Sequence, residues 1–218
     1  MRKTRLLMEK LWLDGIRFVK SEDLKTLCRQ LNVKYDDMIR YLLSRGYLIR
    51  VFRGVFYVKT IDEIRFKRTG ITYLKLVAEG LKIKGVENWY FGLYTALRLN
   101  NITHEYYPVD FILNDKIFRA REIRIANHKF RFIKLKSSLF FGIREEDGIK
   151  YSNLEKTILD FIYLWRYKGI PEKRIILDIS ELVNKASKKK LIKYSKKYPK
   201  TVRKTLEIIY ERIYRGNK

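Results

Sequence analysis

The hydrophobic period changes twice within the first sixty residues. Leu6, Leu7, Leu11 and Trp12 recur at helical spacing and predict a helix over 4–13, stopped by Gly15. After Val19-Lys20, Ser21 is a good N-cap, and Glu22 and Asp23 fall in the first turn, where the helix dipole favours acids. Leu24, Leu27, Cys28 and Leu31 form the buried face of this second helix, and Asn32-Val33-Lys34 is a short turn. A third helix is expected over 35–45, with Met38, Ile39 and Leu42 inward and Gly46 as its stop. Two β-rich runs follow, 47–51 and 55–58, and Phe52-Arg53-Gly54 joins them as a tight hairpin.

Beyond residue 69 the pattern predicts helices over 70–84 and 91–99. Strands are expected over 109–113, 117–126, 129–135 and 139–143, with turns at Asn114-Asp115 and Asn127-His128. Phe130 and Phe132 alternate with Lys129 and Arg131, the mark of a half-exposed strand. The remainder reads as helices over 153–168, 178–186, 188–198 and 201–214, broken by Pro171 and Pro199. No repeat or low-complexity linker interrupts the chain, and the domain boundary is expected at 60–69. The predicted class is α+β. A winged helix-turn-helix over 1–66 is followed by an α/β domain over 67–218, with a mostly antiparallel sheet and a basic helical end.

Helix, helix, short turn, helix and hairpin is the winged helix-turn-helix order. In that arrangement the third helix presents its first turns to the major groove. The hairpin supplies cations to the flanking phosphates. Lys34, Tyr35, Arg40, Tyr41 and Ser44 would then face DNA, with Arg50 and Arg53 on the wing, where the arginine fork suits a guanine edge or a phosphate. Asp36 and Asp37 oppose this, since they favour the helix dipole but repel phosphate. The alternative is a module that docks or neutralises a protein, with the winged helix mainly structural.

Charge strengthens the nucleic-acid reading. Lys and Arg number 49 against 24 Asp and Glu, a net +25, and such a surplus attracts polyanions. A thermophile-like habit, rich in Lys and Glu and with Gln30 as the single glutamine, would add both signs, whereas here bases outnumber acids two to one. Residues 1–68 carry +9, 69–150 carry +5 and 151–218 carry +11, so the two ends are the expected attractors. Between Leu182 and Leu206 stand ten basic residues and no acid. Lys189, Lys193, Lys196, Lys197 and Lys200 belong to this stretch, with Tyr194 and Tyr198 nearby, and they are candidates for a second phosphate-contact surface. A lysine-rich solvated helix pair is the plainer alternative.

Cys28 is the only cysteine, so no internal disulfide can form, and a reducing cytoplasmic location is expected. Glu9, Lys10 and Asp14 break the first apolar run, which argues against a signal peptide or a membrane span.

Three segments carry a family resemblance. Within residues 31–57, Gly46, Leu48, Arg50, Val51, Arg53, Gly54, Val55 and Tyr57 match the turn-and-wing pattern of AbiEi-type antitoxins. Residues 89–97 are similar to a helix near the start of that family's C-terminal domain. Residues 149–160, with Glu155-Lys156-Thr157 and then Leu159-Asp160, are similar to its late helix. The resemblance implies a winged helix plus an α/β domain in an antitoxin of a toxin–antitoxin or phage-defence operon. It also implies repression of its own promoter at an inverted-repeat operator in double-stranded DNA, with a nucleotidyltransferase-like toxin as partner, and binding to an inverted repeat carries the expectation of a homodimer. The basic helical end departs from the family pattern.

No complete catalytic set is evident, and no cofactor is expected. His104 and His128 stand apart from cysteines and paired acids, so no metal site is expected. Asp110, Asp115 and Glu122 are the one set a metal-dependent nuclease could use. Glu122-Ile123-Arg124 only faintly resembles its acid-x-lysine arrangement, because an arginine does not shed its proton. Glu155, Lys156 and Asp160 could form a degenerate site, although their spacing equally suits helix surface pairs.

Overall fold

In a computed structural model, which describes residues 2–216, the chain divides into two compact units. The first comprises residues 1–87 with 123–129, and so runs on well past residue 66. The second comprises residues 88–122 and 130–218.

The first unit opens with α1 (Arg2–Leu13), which buries Leu7, Met8 and Leu11. Strand β1 (Phe18–Lys20) follows and pairs antiparallel with β3 (Val55–Val58), Phe18 lying opposite Tyr57. Val19 and Lys20, which the sequence places as the lead into the second helix, are thus strand residues. Their pairing also moves the start of α2 (Ser21–Gln30), because extended Lys20, not Ser21, is the N-cap residue. Ser21 instead donates its N–H to the Gly54 carbonyl at 3.0 Å, and its hydroxyl to Glu22. Helix α3 (Tyr35–Ser44) buries Met38, Ile39 and Leu42, which join Leu24, Cys28 and the α1 leucines in one core. Strand β2 (Leu48–Phe52) completes a three-stranded sheet in the order β1-β3-β2. Gly54 closes the β2–β3 turn at φ +77, and a Cβ there would also lie 2.9 Å from the Ser21 hydroxyl.

Two helices extend this unit. The short α4 (Ile61–Arg65), passed over in the sequence, is set by a capping box between Thr60 and Glu63. Buried Glu63 does more than cap. Its carboxylate accepts from the Tyr57 hydroxyl at 2.6 Å, from Arg17 at 2.9 Å, from the Thr60 N–H at 2.8 Å and from the Gly70 N–H. Helix α5 (Tyr73–Ile83) lays Gly80 on β2, where an added Cβ would stand 2.6 Å from Val51 and 2.8 Å from Phe52.

The second unit is built on a mixed sheet. Its strands are β4 (Trp89–Phe91), β5 (Val109–Asn114), β7 (His128–Lys134), β8 (Ile143–Glu146) and β9 (Ile149–Ser152), in the order β7-β5-β4-β9-β8, while β6 (Ile123–Ile125) belongs to the first unit. Strand β4 pairs antiparallel with β5 and parallel with β9. The helices are α6 (Leu93–Leu99), α7 (Leu154–Tyr167), α8 (Glu172–Lys185), α9 (Lys188–Ser195) and α10 (Lys200–Gly216). The chain is therefore α+β, with ten α-helices among the described residues.

Residues 89–91 form a strand before the helix, since Gly92 stands in extended backbone and separates the two. The strand expected over 117–126 shrinks to β6, after a loop that Asn114 organises by bonding the Lys116 N–H and the Ile117 carbonyl. In place of the strand expected over 139–143, a single 3-10 turn at Ser137–Leu139 precedes the β8–β9 hairpin, which turns at Asp147-Gly148 with both residues at positive φ. Helix α8 begins at Glu172, not 178, because Pro171 occupies the N-cap.

Gly80→Ala should lower stability by about 1–2 kcal/mol in urea titration, crowding against β2 outweighing the helix-propensity gain. Burial pushes the Glu63 carboxyl up, but its bonds to Tyr57, Thr60 and Gly70 and the charge of Arg17 outweigh this and hold it below the ordinary 4.5. A depressed folded-state value gives stability that is present above the unfolded value and lost as pH falls through the folded one. Acid unfolding below about pH 4.5 should therefore be less steep in Glu63→Gln, which should also be less stable at neutral pH.

Candidate nucleic-acid interface and a buried ionic centre

The N-terminal candidates all stand on α3 and the β2–β3 hairpin. Lys34, the extended N-cap residue of α3, is exposed, and Tyr35 one residue on is half-buried. The Lys25 ammonium lies 5.5 Å from the Tyr35 ring centre. Partial burial raises the Tyr35 phenol above its usual value, and the nearby Arg50 charge offsets part of that rise. The structure thus brings Lys34, Tyr35 and Arg50 together with Lys25, a cation the sequence reading did not single out.

Farther along α3, Arg40 is exposed and reaches Asp37 at 3.5 Å. Tyr41 is half-buried under the Arg45 guanidinium, 5.7 Å from its ring centre. Ser44 is exposed, but its hydroxyl donates to the Tyr41 carbonyl at 2.9 Å and is engaged within the helix. Arg50 stacks over Phe56 at 5.6 Å, and Arg53 at the hairpin tip is exposed. Asp36 and Asp37 are both exposed in the first turn of α3.

The lysine candidates belong to the second unit. Lys189, Lys193, Lys196, Lys197 and Lys200 are all exposed. They do not form one continuous helical face, because α9 ends at Ser195, Lys196 is its C-cap, Lys197 follows in the turn and Lys200 opens α10. Lys197 lies over the Phe141 ring at 4.4 Å. Tyr198, expected beside this surface, is instead buried.

Tyr198 belongs to a centre that the sequence concealed. Lys156 and Asp160, one turn apart on α7, are both fully buried and paired, not the helix-surface pair their spacing also allowed. The Lys156 ammonium donates to Asp160, to the Tyr90 hydroxyl at 2.8 Å and to the Tyr198 hydroxyl at 2.7 Å. Each tyrosine in turn donates to Asp160, Tyr90 at 2.8 Å and Tyr198 at 2.7 Å. The rings of Tyr90, Phe141 and Tyr198 lie 5.0–5.2 Å from the ammonium. Burial lowers the Lys156 ammonium although Asp160 opposes the shift, and burial together with the Asp160 charge holds both phenols well above their usual value. All three ammonium protons have acceptors, so the centre is closed on itself and offers no open position to a substrate. Glu155, its neighbour, is buried and accepts the Ser187 N–H at 3.2 Å, at the start of α9.

The remaining acids are dispersed. Asp110 accepts from Thr95 at 3.0 Å and Arg98 at 2.7 Å, Asp115 accepts from Asn88 at 2.8 Å, and Glu122 is exposed. His128 stacks on Tyr73 with ring centres 3.6 Å apart, and His104 is exposed. Among the described residues no group of three His, Cys, Asp or Glu is placed to hold a metal ion. No helix among them is long and apolar enough to cross a membrane.

No family model and no curated protein matches the chain. Among solved structures, the fold is similar to the crystal structure of RV2827C protein from Mycobacterium tuberculosis. The TM-score is 0.60 at 14% identity, covering 97% of this chain and 77% of that one.

Removing one member of the buried pair strands the other's charge in the core, so Asp160→Ala and Lys156→Ala should each cost about 3–5 kcal/mol in urea unfolding. The double variant should cost less than the sum of the singles.

Proposed function

We propose that the chain is a double-stranded-DNA-binding repressor of its own operon and not an enzyme. Its first unit acts as a winged helix-turn-helix, with α3 in the major groove and the β2–β3 hairpin as the wing. The observation that carries this reading is the grouping of exposed Lys34, Lys25 and Arg50 around half-buried Tyr35 at the start of α3, with Arg53 exposed at the tip of the hairpin. Cations at these positions can hold phosphates while the helix start reaches base edges. The +25 net charge supports the same partner.

The AbiEi resemblance extends the reading to an antitoxin working in the cytoplasm. On this view the protein binds an inverted-repeat operator as a homodimer and is encoded beside a nucleotidyltransferase-like toxin. The exposed lysines of α9 and the start of α10 add phosphate contacts. A second reading is favoured by exposed Asp36 and Asp37 in the first turn of α3, which would repel phosphate and suit a basic protein partner. There the winged helix is mainly structural and the chain docks or neutralises a toxin.

Anisotropy titration of labelled duplex separates the two. Arg53→Ala and Lys34→Ala should each weaken DNA binding several-fold and reduce the slope of log affinity against log salt by about 1. Exchanging Lys189, Lys193, Lys196 and Lys197 for Glu should also weaken it several-fold. Unchanged affinity in these folded variants would favour the docking reading.

A further inference from the structure

The second unit contains two adjoining cavities that share Tyr163 and Tyr167 as a common wall. One, of about 710 Å3, lies between the loop after β5, the exit of β7 and the C-terminal half of α7. The other, of about 660 Å3, runs from the α7–α8 turn to Pro199 and the start of α10. Each has the volume of a small-molecule site, so the two together form a groove longer than one small molecule fills. Phe118 lines the first cavity and Tyr167 lines both, and these residues are 68% and 83% exposed.

Arg119, Arg131, Lys134, Lys136 and Lys168 line the first cavity. None of the five has a carboxylate partner among the described residues. The one acid there, Asp115, already accepts from Asn88 at 2.8 Å and from Ser137 at 3.4 Å. In the second cavity Arg166 and Glu172 neutralise each other at 3.1 Å. Positive charge is therefore concentrated at one end of the groove, and aromatic surface continues from it to the shared wall. An apolar partner would leave the five cations desolvated and unpaired, and a bare anion would leave the aromatic surface unused. A duplex is unsuited too, because its bases are stacked on one another and closed to side chains. An unpaired strand offers both chemistries at once, phosphates for the cations and free base faces for Phe118 and Tyr167.

We propose that this groove binds a single strand of DNA, with phosphates on the cations of the first cavity and bases stacked on Phe118 and Tyr167. Binding is tolerant of sequence, since every base has a stacking face. The choice of DNA over RNA rests on the reading of α3 and the β2–β3 hairpin as a DNA-binding surface. The groove shares no residue with that surface and in every other respect stands independently of it.

Calorimetric titration of the full-length protein tests it, with a thymidine oligonucleotide, a uridine oligonucleotide, an abasic DNA strand and a poly-glutamate peptide of equal charge as probes. The thymidine strand should bind at least about tenfold more tightly than the abasic strand or the peptide, because stacking contributes only to the former. It should bind at least as tightly as the uridine strand. Phe118→Ala and Tyr167→Ala should each weaken strand binding about tenfold and reduce the preference over the abasic strand, whereas Tyr167→Phe should keep both. The Arg131→Ala/Lys134→Ala pair should lower the slope of log affinity against log salt by about 1. Circular dichroism would establish that the variants fold. The Lys34→Ala/Arg53→Ala pair should leave strand binding intact, so a failure of the duplex reading is told apart from a failure of the groove. Abasic strand or peptide bound as tightly as the thymidine strand, or strand binding unchanged in the folded Phe118 and Tyr167 alanine variants, would overturn the proposal. So would loss of strand binding in the Lys34/Arg53 pair, or a uridine strand bound more tightly than the thymidine strand.

Discussion

Lys156 and Asp160 are removed from water altogether, and two opposite charges in a protein interior are tolerated only when their remaining protons and lone pairs are also satisfied. Here the two tyrosines supply that completion, and they come from distant parts of the chain. Tyr90 stands on β4, at the middle of the sheet, and Tyr198 lies between α9 and α10. One closed set of hydrogen bonds thus fixes three things at once: the sheet centre, the inward face of α7 and the position of the C-terminal helices. The apolar core shared by α7, α8 and α10 then packs around a point already defined by polar geometry.

A smaller arrangement of the same kind organises the first unit. Glu63 caps α4 and gathers Arg17, Tyr57 and the Gly70 backbone, so the chain leaving the hairpin is tied back to the sheet. At the other end of β3, the Ser21–Gly54 contact ties the hairpin tip to the start of α2. Such a held hairpin presents Arg53 from a defined position, which is what a wing requires of its backbone. In the proposed repressor, affinity comes from exposed cations on a rigid frame and not from a pocket.

How much was legible in the sequence follows from where each signal resides. Helices α1 to α3 and strands β2 and β3 have strong periods of their own, and residues such as Leu24, Met38 and Val55 mark their inner faces. Strand β1 has only three residues and owes its conformation to β3, so no local pattern announces it. Trp89-Tyr90-Phe91 is buried throughout and shows no alternation, and β8 carries Arg144-Glu145-Glu146, a charged run with no apolar alternation to mark a strand. The individual exposure of Lys34, Arg40, Arg53 and the α9 lysines agrees with their charge. The cluster around Tyr35, by contrast, needed the fold to bring Lys25 and Arg50 near it. Lys156 and Asp160 stand out as a pair in the sequence, but their burial and their tyrosine partners do not, for the same reason. An i,i+4 lysine–aspartate pair ordinarily marks a helix surface, and only tyrosines tens of residues away turn it inward.

The measurement that tests the central claim most directly is footprinting of the purified protein on the DNA upstream of its own gene, over a salt series. A sequence-reading dimer predicts two protected half-sites about one helical turn apart, or a multiple of it, that persist as salt rises while scrambled DNA is released. Uniform protection of both DNAs, lost together with salt, would contradict the claim and leave the net charge as the whole basis of binding.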